Sequence, residues 1–171
     1  MIVNTNLINI WLVEIKNFFG INIFKLIIKT CNLIAMIIGV GNDIVAISKI
    51  AEVYFKFEDK FLQRIYSNSE IEIAKSILKN NNQKRMINFL AKRFCVKEAF
   101  GKAIGLGLGR GINFKDIAVE NNDLGKPFIK ILPQKEQFLK KHLACQNYSI
   151  HLSLSDTEDL AFAVVIIEKI N

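Results

Sequence analysis

Apolar positions change their period several times along the chain, and each change marks an expected element. From Met36 to Val45 the residues are almost continuously apolar around two glycines, which predicts a buried strand, followed by a short helix to about Phe57. Ser67-Asn68-Ser69-Glu70 has the spacing of a capping box and predicts a helix start there, running to about Lys79 before the break Asn80-Asn81-Asn82. From Gln83 to Ile104 the apolar positions Phe89, Val96, Phe100 and Ala103, with Leu90 and Phe94, recur at helical spacing, so one long helix is expected. A loop with four glycines, Gly105 to Gly111, ends it. Phe114 to Glu120 and Phe128 to Leu132 read as strands around the turn Asp123-Leu124-Gly125-Lys126-Pro127. A polar helix is expected from Gln134 to Leu143, and Tyr148–Leu154 and Leu160–Glu168 as a closing hairpin around Ser155 to Glu158. That order predicts an α+β fold: a single domain, 36–171, with a mostly antiparallel sheet packed on one long helix.

The segment 1–35 has a different character: apolar, rich in Asn, with only Glu14, Lys16, Lys25 and Lys29 charged. Lys25 and Lys29 interrupt its best apolar stretch, leaving it short of the roughly 20 residues a membrane span requires. A secretory signal would need a charged start that is missing. The expectation is an atypical N-terminal extension, either a start upstream of the natural Met36 or a peripheral helix, without a membrane span.

The 171 residues suit one domain, and 51% hydrophobic with 23% charged residues excludes a disordered chain. The formal net charge is +7, of which +5 lies after residue 35. A basic surface favours acidic partners. No compact run of Lys and Arg interleaved with aromatics occurs, so nucleic acid is not expected. Cys31, Cys95 and Cys145 are dispersed and form no CxxC pair, which suggests reduced thiols and a cytoplasmic location. With His142 and His151 the only histidines, a Cys/His zinc site is disfavoured, and any metal would be a hard cation such as Mg²⁺ held by carboxylates.

Four features could carry chemistry, and each has a plainer reading. Asp43 closes the first strand after two glycines, where it can meet a ligand or cap the next helix. Glu98 and Lys102 are four apart on one helical face, as a catalytic pair or a surface ion pair. The glycine loop lacks the P-loop lysine and does not lie between strand and helix, so it is neither a P-loop nor a dinucleotide fingerprint; its backbone amides could face a phosphate, or the loop could be structural. His151 sits in an alternating strand, as a ligand or as a structural residue.

Together and in this order the features are specific. IIGVGNDIVAISKI from Ile37, FLQRIYSNSEI from Phe61, FLAKRFCVKEAFGKAIGLGLGRGINFKDIAV from Phe89, LGKPFIKI from Leu124 and IHLSLSDTEDLAFAVVIIE from Ile150 cover nearly all of 36–171 and none of 1–35. This part of the chain resembles the holo-acyl-carrier-protein synthase family of phosphopantetheinyl transferases, and the pairing of GxGxDIV with RFxxKEAFxKA is the most diagnostic part. Asn42 stands where Thr is common.

The resemblance implies transfer of 4′-phosphopantetheine from coenzyme A to a serine of apo-acyl-carrier protein, with release of adenosine 3′,5′-bisphosphate, in fatty acid biosynthesis. It implies Asp43 and Glu98 as magnesium ligands and Lys102 beside the transferring phosphate. The serine proton would pass to water activated by the metal or to Glu98. Gly105, Gly107, Gly109 and Arg110 in the loop, with Lys126, Pro127 and His151, fall in the family's coenzyme A region. It further implies a homotrimer with sites at subunit interfaces. Lys49, with Lys60 and Arg64, offers a basic docking face for the acidic carrier protein. The alternatives are a broader-specificity phosphopantetheinyl transferase, a degenerate coenzyme A-binding module, and a membrane-associated interaction protein built around 1–35.

Overall fold

A computed structural model describes residues 36–170; the readings made for the segment 1–35 lie outside the described residues. The elements are β1 (Met36–Ala46), α1 (Ile47–Ile65), α2 (Asn68–Lys79), α3 (Gln83–Ala103), a 3₁₀ turn (Phe114–Asp116), β2 (Ile117–Asn121), β3 (Pro127–Ile131), α4 (Pro133–His142), β4 (Tyr148–Asp156) and β5 (Leu160–Lys169). Strands β1, β5 and β4 form an antiparallel sheet in that order, and β2 and β3 form a separate antiparallel hairpin. The expected α+β architecture is present, with α3 as its long helix.

Helix α3 starts where Asn82 Oδ1 accepts the Arg85 N–H at 3.0 Å. Its Leu90, Ala91, Cys95, Val96, Ala99 and Phe100 are fully buried. It packs against β1 and β5, whose inward row Ala161, Ala163, Val165 and Ile167 is also fully buried. The two glycines of β1 serve this contact. A Cβ at Gly41 would overlap the carbonyl oxygen of Ala99, and one at Gly39 that of Ala103. The bare backbone therefore faces the helix rather than a ligand, and it lets α3 press directly onto the strand that carries Asp43.

Three expectations need correction. Strand β1 is not buried on both sides: Ile37, Val40 and Ile44 are 60–61% exposed. The alternation that makes the inner face apolar leaves an equally apolar outer row, so the run resembles a two-sided core strand. The chain enters its first strand of the hairpin through the 3₁₀ turn at 114–116 and pairs only from Ile117. Helix α1 does not stop near Phe57 but resumes beyond a kink at Glu58, whose φ of 43° and ψ of −121° are a glycine-like conformation. Replacing Glu58→Gly should stabilise the domain by about 1 kcal/mol, after discounting glycine's greater freedom when unfolded. An unchanged or lowered denaturation midpoint would show that the kink carries no strain.

The buried polar centre is the pair Glu70–Lys97, both side chains fully buried with Nζ to Oε2 at 2.7 Å. Lys97 also donates to the carbonyls of Ile65 at 2.9 Å and Phe114 at 3.0 Å. Glu70 completes the expected capping box with Ser67 and accepts the Val119 N–H at 3.1 Å. One ion pair thus joins the end of α1, the start of α2, the 3₁₀ turn and β2 to α3.

Candidate active site

Strand register and helical phase converge on one corner. Asp43 lies opposite the buried Ala163 in the ladder, so it projects to the α3 side of the sheet. Glu98 and Lys102 stand on adjacent turns near the end of α3, the helix pressed on that strand. Lys102 Nζ donates to Asp43 Oδ1 at 2.9 Å, and Asp43 is 15% exposed against 53% for Lys102. Both plainer readings of these residues are thereby replaced. Asp43 is not a cap, since the residue before α1 is Ala46 and makes no side-chain cap bond. Its first amide, Ile47 N–H, instead donates to the Asp159 carbonyl at 2.8 Å. Lys102 pairs across to β1 rather than along the helix to Glu98.

The corner is electrostatically coupled. Burial raises the pKa of Glu98 above the ordinary carboxylate range, and the charge of Asp43 raises it further, while Lys102 lowers it. The hydrogen bond to Asp43 raises the Lys102 ammonium. Beneath them, the Cys95 thiol donates to the Asp43 carbonyl at 3.0 Å and is pushed up to about 12 by burial and then by Asp43's charge. Cys95 is therefore a neutral packing group that steadies the Asp43 backbone. Two neighbouring carboxylates suit Mg²⁺, which takes one or two protein carboxylates and completes its shell with water and substrate phosphate oxygens. No group of three or more His, Cys, Asp or Glu able to hold a metal occurs among the described residues, which disfavours an all-protein cage.

The glycine loop follows α3 directly. Gly105, Gly107 and Gly109 have φ of 74°, 67° and 97° and open space where a Cβ would stand, so their role is backbone conformation. Arg110 is exposed on this loop. Lys126 ends the turn between β2 and β3, where Asn122 Oδ1 accepts its N–H at 2.8 Å, and Pro127 opens β3 opposite Asn121. Asn121 ties that turn to α3: its Nδ2 donates to the Gly125 carbonyl at 2.7 Å, and its Oδ1 accepts from Arg93 at 2.8 Å.

His151 stands apart from Asp43 within the chain. It pairs in register with Ile166, of opposite parity to Ala163, and so projects from the other face of the sheet. There its Nε2 lies 2.7 Å from Glu168 Oε2, beside the exposed outer row of β1.

Sequence reasoning missed a basic cleft. Lys84, Arg85, Lys92 and Arg93 on α3, with Asn121 and Asp156, line a space of about 590 Å³. Arg93 lies over the Phe89 ring at 4.2 Å, and its buried Nε has no hydrogen-bond partner, which marks a donor awaiting an acceptor. The available signal was the repeated Lys-Arg doublet, eight residues apart and hence about two helical turns. On α1, Lys49, Lys60 and Arg64 are exposed. Lys60 and Arg64 flank an apolar groove of about 420 Å³ that includes Val53, Phe57 and Phe61.

A family model described as the 4′-phosphopantetheinyl transferase superfamily matches residues 39–165. A holo-[acyl-carrier-protein] synthase of Wolbachia pipientis subsp. Culex pipiens is 45% identical over 132 residues, covering 77% of this chain and 98% of that protein. The crystal structure of the Neisseria meningitidis holo-[acyl-carrier-protein] synthase superposes with a TM-score of 0.68 at 36% identity, covering 78% of this chain and all 100% of the other. That of the Bacillus anthracis synthase, in complex with CoA (3′,5′-ADP), superposes with a TM-score of 0.63 at 34% identity over 78% of this chain and 98% of the other.

Proposed function

Since the chain belongs to the 4′-phosphopantetheinyl transferase superfamily, we propose that it transfers 4′-phosphopantetheine from coenzyme A to a serine of apo-acyl-carrier protein in fatty acid biosynthesis. The observation that carries this reading is the corner where Asp43, Glu98 and Lys102 meet between β1 and α3. The serine oxygen forms a bond to the phosphorus that bears pantetheine, the bond from that phosphorus to the bridging oxygen breaks, and adenosine 3′,5′-bisphosphate leaves as the serine proton is lost. Charge repulsion makes such a step slow, so catalysis is mainly positioning and neutralisation.

Asp43 and Glu98 would hold Mg²⁺, which when bound neutralises charge on the pyrophosphate oxygens. Lys102, on a flexible and half-exposed stem, supplies a cation that follows the leaving phosphate. The basic cleft, beginning five residues before Glu98 on the same helix, supports binding of the anionic nucleotide end about 7 Å further along the helix axis. The glycine loop with Arg110, and the turn with Lys126 and Pro127, would flank the cofactor. His151 would reach a site only by serving that of a neighbouring copy. The apolar outer row of Val40, Ile44 and Phe162 on the same face of the sheet supports assembly into the homotrimer.

The groove between Lys60 and Arg64 suits an acidic, amphipathic carrier protein, with Lys49 on the same helix. Lys49→Glu should raise the apparent KM for carrier protein about tenfold while that for coenzyme A stays within about twofold. Equal damage to both would remove the docking role. No helix among the described residues is long and apolar enough to cross a membrane. The buried free thiols of Cys95 and Cys145 suit a reducing cytoplasm.

The deciding experiment incubates the full chain with coenzyme A and apo-acyl-carrier protein, with and without Mg²⁺, and reads the carrier's mass. Metal-dependent gain of one phosphopantetheine is expected. A folded protein that binds coenzyme A yet transfers nothing would be a binding module instead. Removal of 1–35 should leave transfer intact.

A further inference from the structure

The glycine loop is built from residues that by themselves hold no shape, yet its two ends are held by one helix. At the entry, directly after α3, the Ile104 carbonyl accepts from His142 Nε2 at 2.7 Å. Since a carbonyl only accepts, His142 carries its proton on Nε2. At the exit, the Gly111 carbonyl accepts from Lys135 Nζ at 2.8 Å, and the same ammonium lies 3.5 Å from Asp116. Gly111 has a φ of 102°, and the place a Cβ would take there is filled by the Phe138 ring. Phe138 in turn lies nearly parallel to the His142 ring, 9° apart in plane and 6.4 Å between centres. Lys135, Phe138 and His142 are all on α4, which the fully buried Leu139 anchors in the core.

Between these latches the backbone has few ties: Gly105 N–H to the Lys102 carbonyl at 3.0 Å, Gly107 N–H to the Gly101 carbonyl at 3.0 Å, and Gly109 N–H to the Ile112 carbonyl at 2.8 Å. Fixing a glycine-rich segment costs more conformational entropy than fixing any other. Contacts that order it before a ligand arrives remove that cost from binding. The entry latch also sits two residues after Lys102, so the same helix steadies the end of α3 that reaches the transferring phosphate.

We propose that Lys135, Phe138 and His142 of α4 are positioning residues that hold the glycine loop in its coenzyme A-binding shape. The proposal rests on the reading of that loop as part of the coenzyme A site. They act through Ile104 and Gly111.

The test measures, on the full chain, coenzyme A binding by calorimetry and the KM for each substrate, with thermal unfolding alongside. Phe138→Ala and His142→Ala should each weaken coenzyme A binding about tenfold while the KM for carrier protein moves less than about twofold. His142→Gln, whose amide nitrogen replaces Nε2, should restore most of the affinity lost in His142→Ala. Arg110→Glu, on the loop itself, tests the underlying reading and should also weaken coenzyme A. Unchanged coenzyme A affinity in the α4 variants, with an effect in Arg110→Glu, would overturn the clasp alone. No effect in any variant would overturn the loop's assignment and the clasp with it. Equal loss toward both substrates with lowered unfolding temperature, unrelieved by His142→Gln, would reduce α4 to a purely structural helix.

Discussion

Asp43→Asn should abolish nearly all transfer, on the order of a thousandfold in turnover or about 4 kcal/mol of transition-state stabilisation, while leaving the fold intact. The two halves of that expectation have separate causes. Among the described residues Asp43 has one strong side-chain partner, and Lys102 at 2.9 Å is half exposed, so the pair contributes little to folding, under about 1 kcal/mol. The side chain of Asp43 is therefore expected to matter for transfer rather than for folding. Glu98→Gln should cost a comparable amount, and the double variant little more, because two ligands of one ion act as a unit. A further consequence separates electrostatics from simple loss of a ligand. Glu98 is raised by burial first and by Asp43 second, so neutralising Asp43 should lower the Glu98 pKa toward the ordinary range. The sign follows from linkage. A carboxyl raised in the folded state stabilises the protein at pH below its unfolded pKa and loses that contribution as pH rises through its folded value. In Asp43→Asn that acid-side contribution should shrink. Carboxyl titration by NMR would measure it. Full turnover in Asp43→Asn, or a Glu98 titration that does not move, would remove Asp43 from the centre.

Much of this corner is legible in the sequence. Helical spacing put Glu98 and Lys102 on one face, and the capping box at Ser67 to Glu70 located the start of α2. What remained hidden was long range. Glu70 read completely as a cap, so nothing in its neighbourhood announced a buried partner 27 residues later. Lys97, next to a candidate catalytic glutamate, carries no local sign that it is fully buried. The doublets Lys84-Arg85 and Lys92-Arg93 line a cleft only because the fold brings Asn121 and Asp156 against them. The kink at Glu58 left no trace because neither Gly nor Pro marks it. The two glycines of β1 suggested bare backbone beside a ligand, whereas packing shows that they face the backbone of α3.

Lys97→Met should destabilise the domain by about 3–5 kcal/mol, a large share of the 5–15 kcal/mol that holds a typical domain. Lys97 uses its three ammonium donors on Glu70, the Ile65 carbonyl and the Phe114 carbonyl, and none reaches solvent. Methionine fills the volume of the stem but leaves two carbonyls short of a donor and Glu70 as an unpaired buried charge. The ordinary worth of an ion pair does not set the cost; the stranded carboxylate does. Two outcomes identify it. Adding Glu70→Gln to Lys97→Met should recover at least about 1 kcal/mol, because it removes the stranded charge, although Glu70→Gln alone is destabilising. The gap between wild type and Lys97→Met should also narrow as pH falls, because acid discharges a buried carboxylate that has lost its cation. Denaturant unfolding of the four proteins at two pH values measures both. Additive losses and a gap indifferent to pH would mean that Lys97 contributes only packing. The site should report the same event, since Lys97 directly precedes Glu98 and ties that turn of α3 to Ile65, Glu70 and Phe114. A destabilised Lys97→Met that still folds at low temperature should therefore bind Mg²⁺ more weakly than wild type, without having lost either proposed ligand.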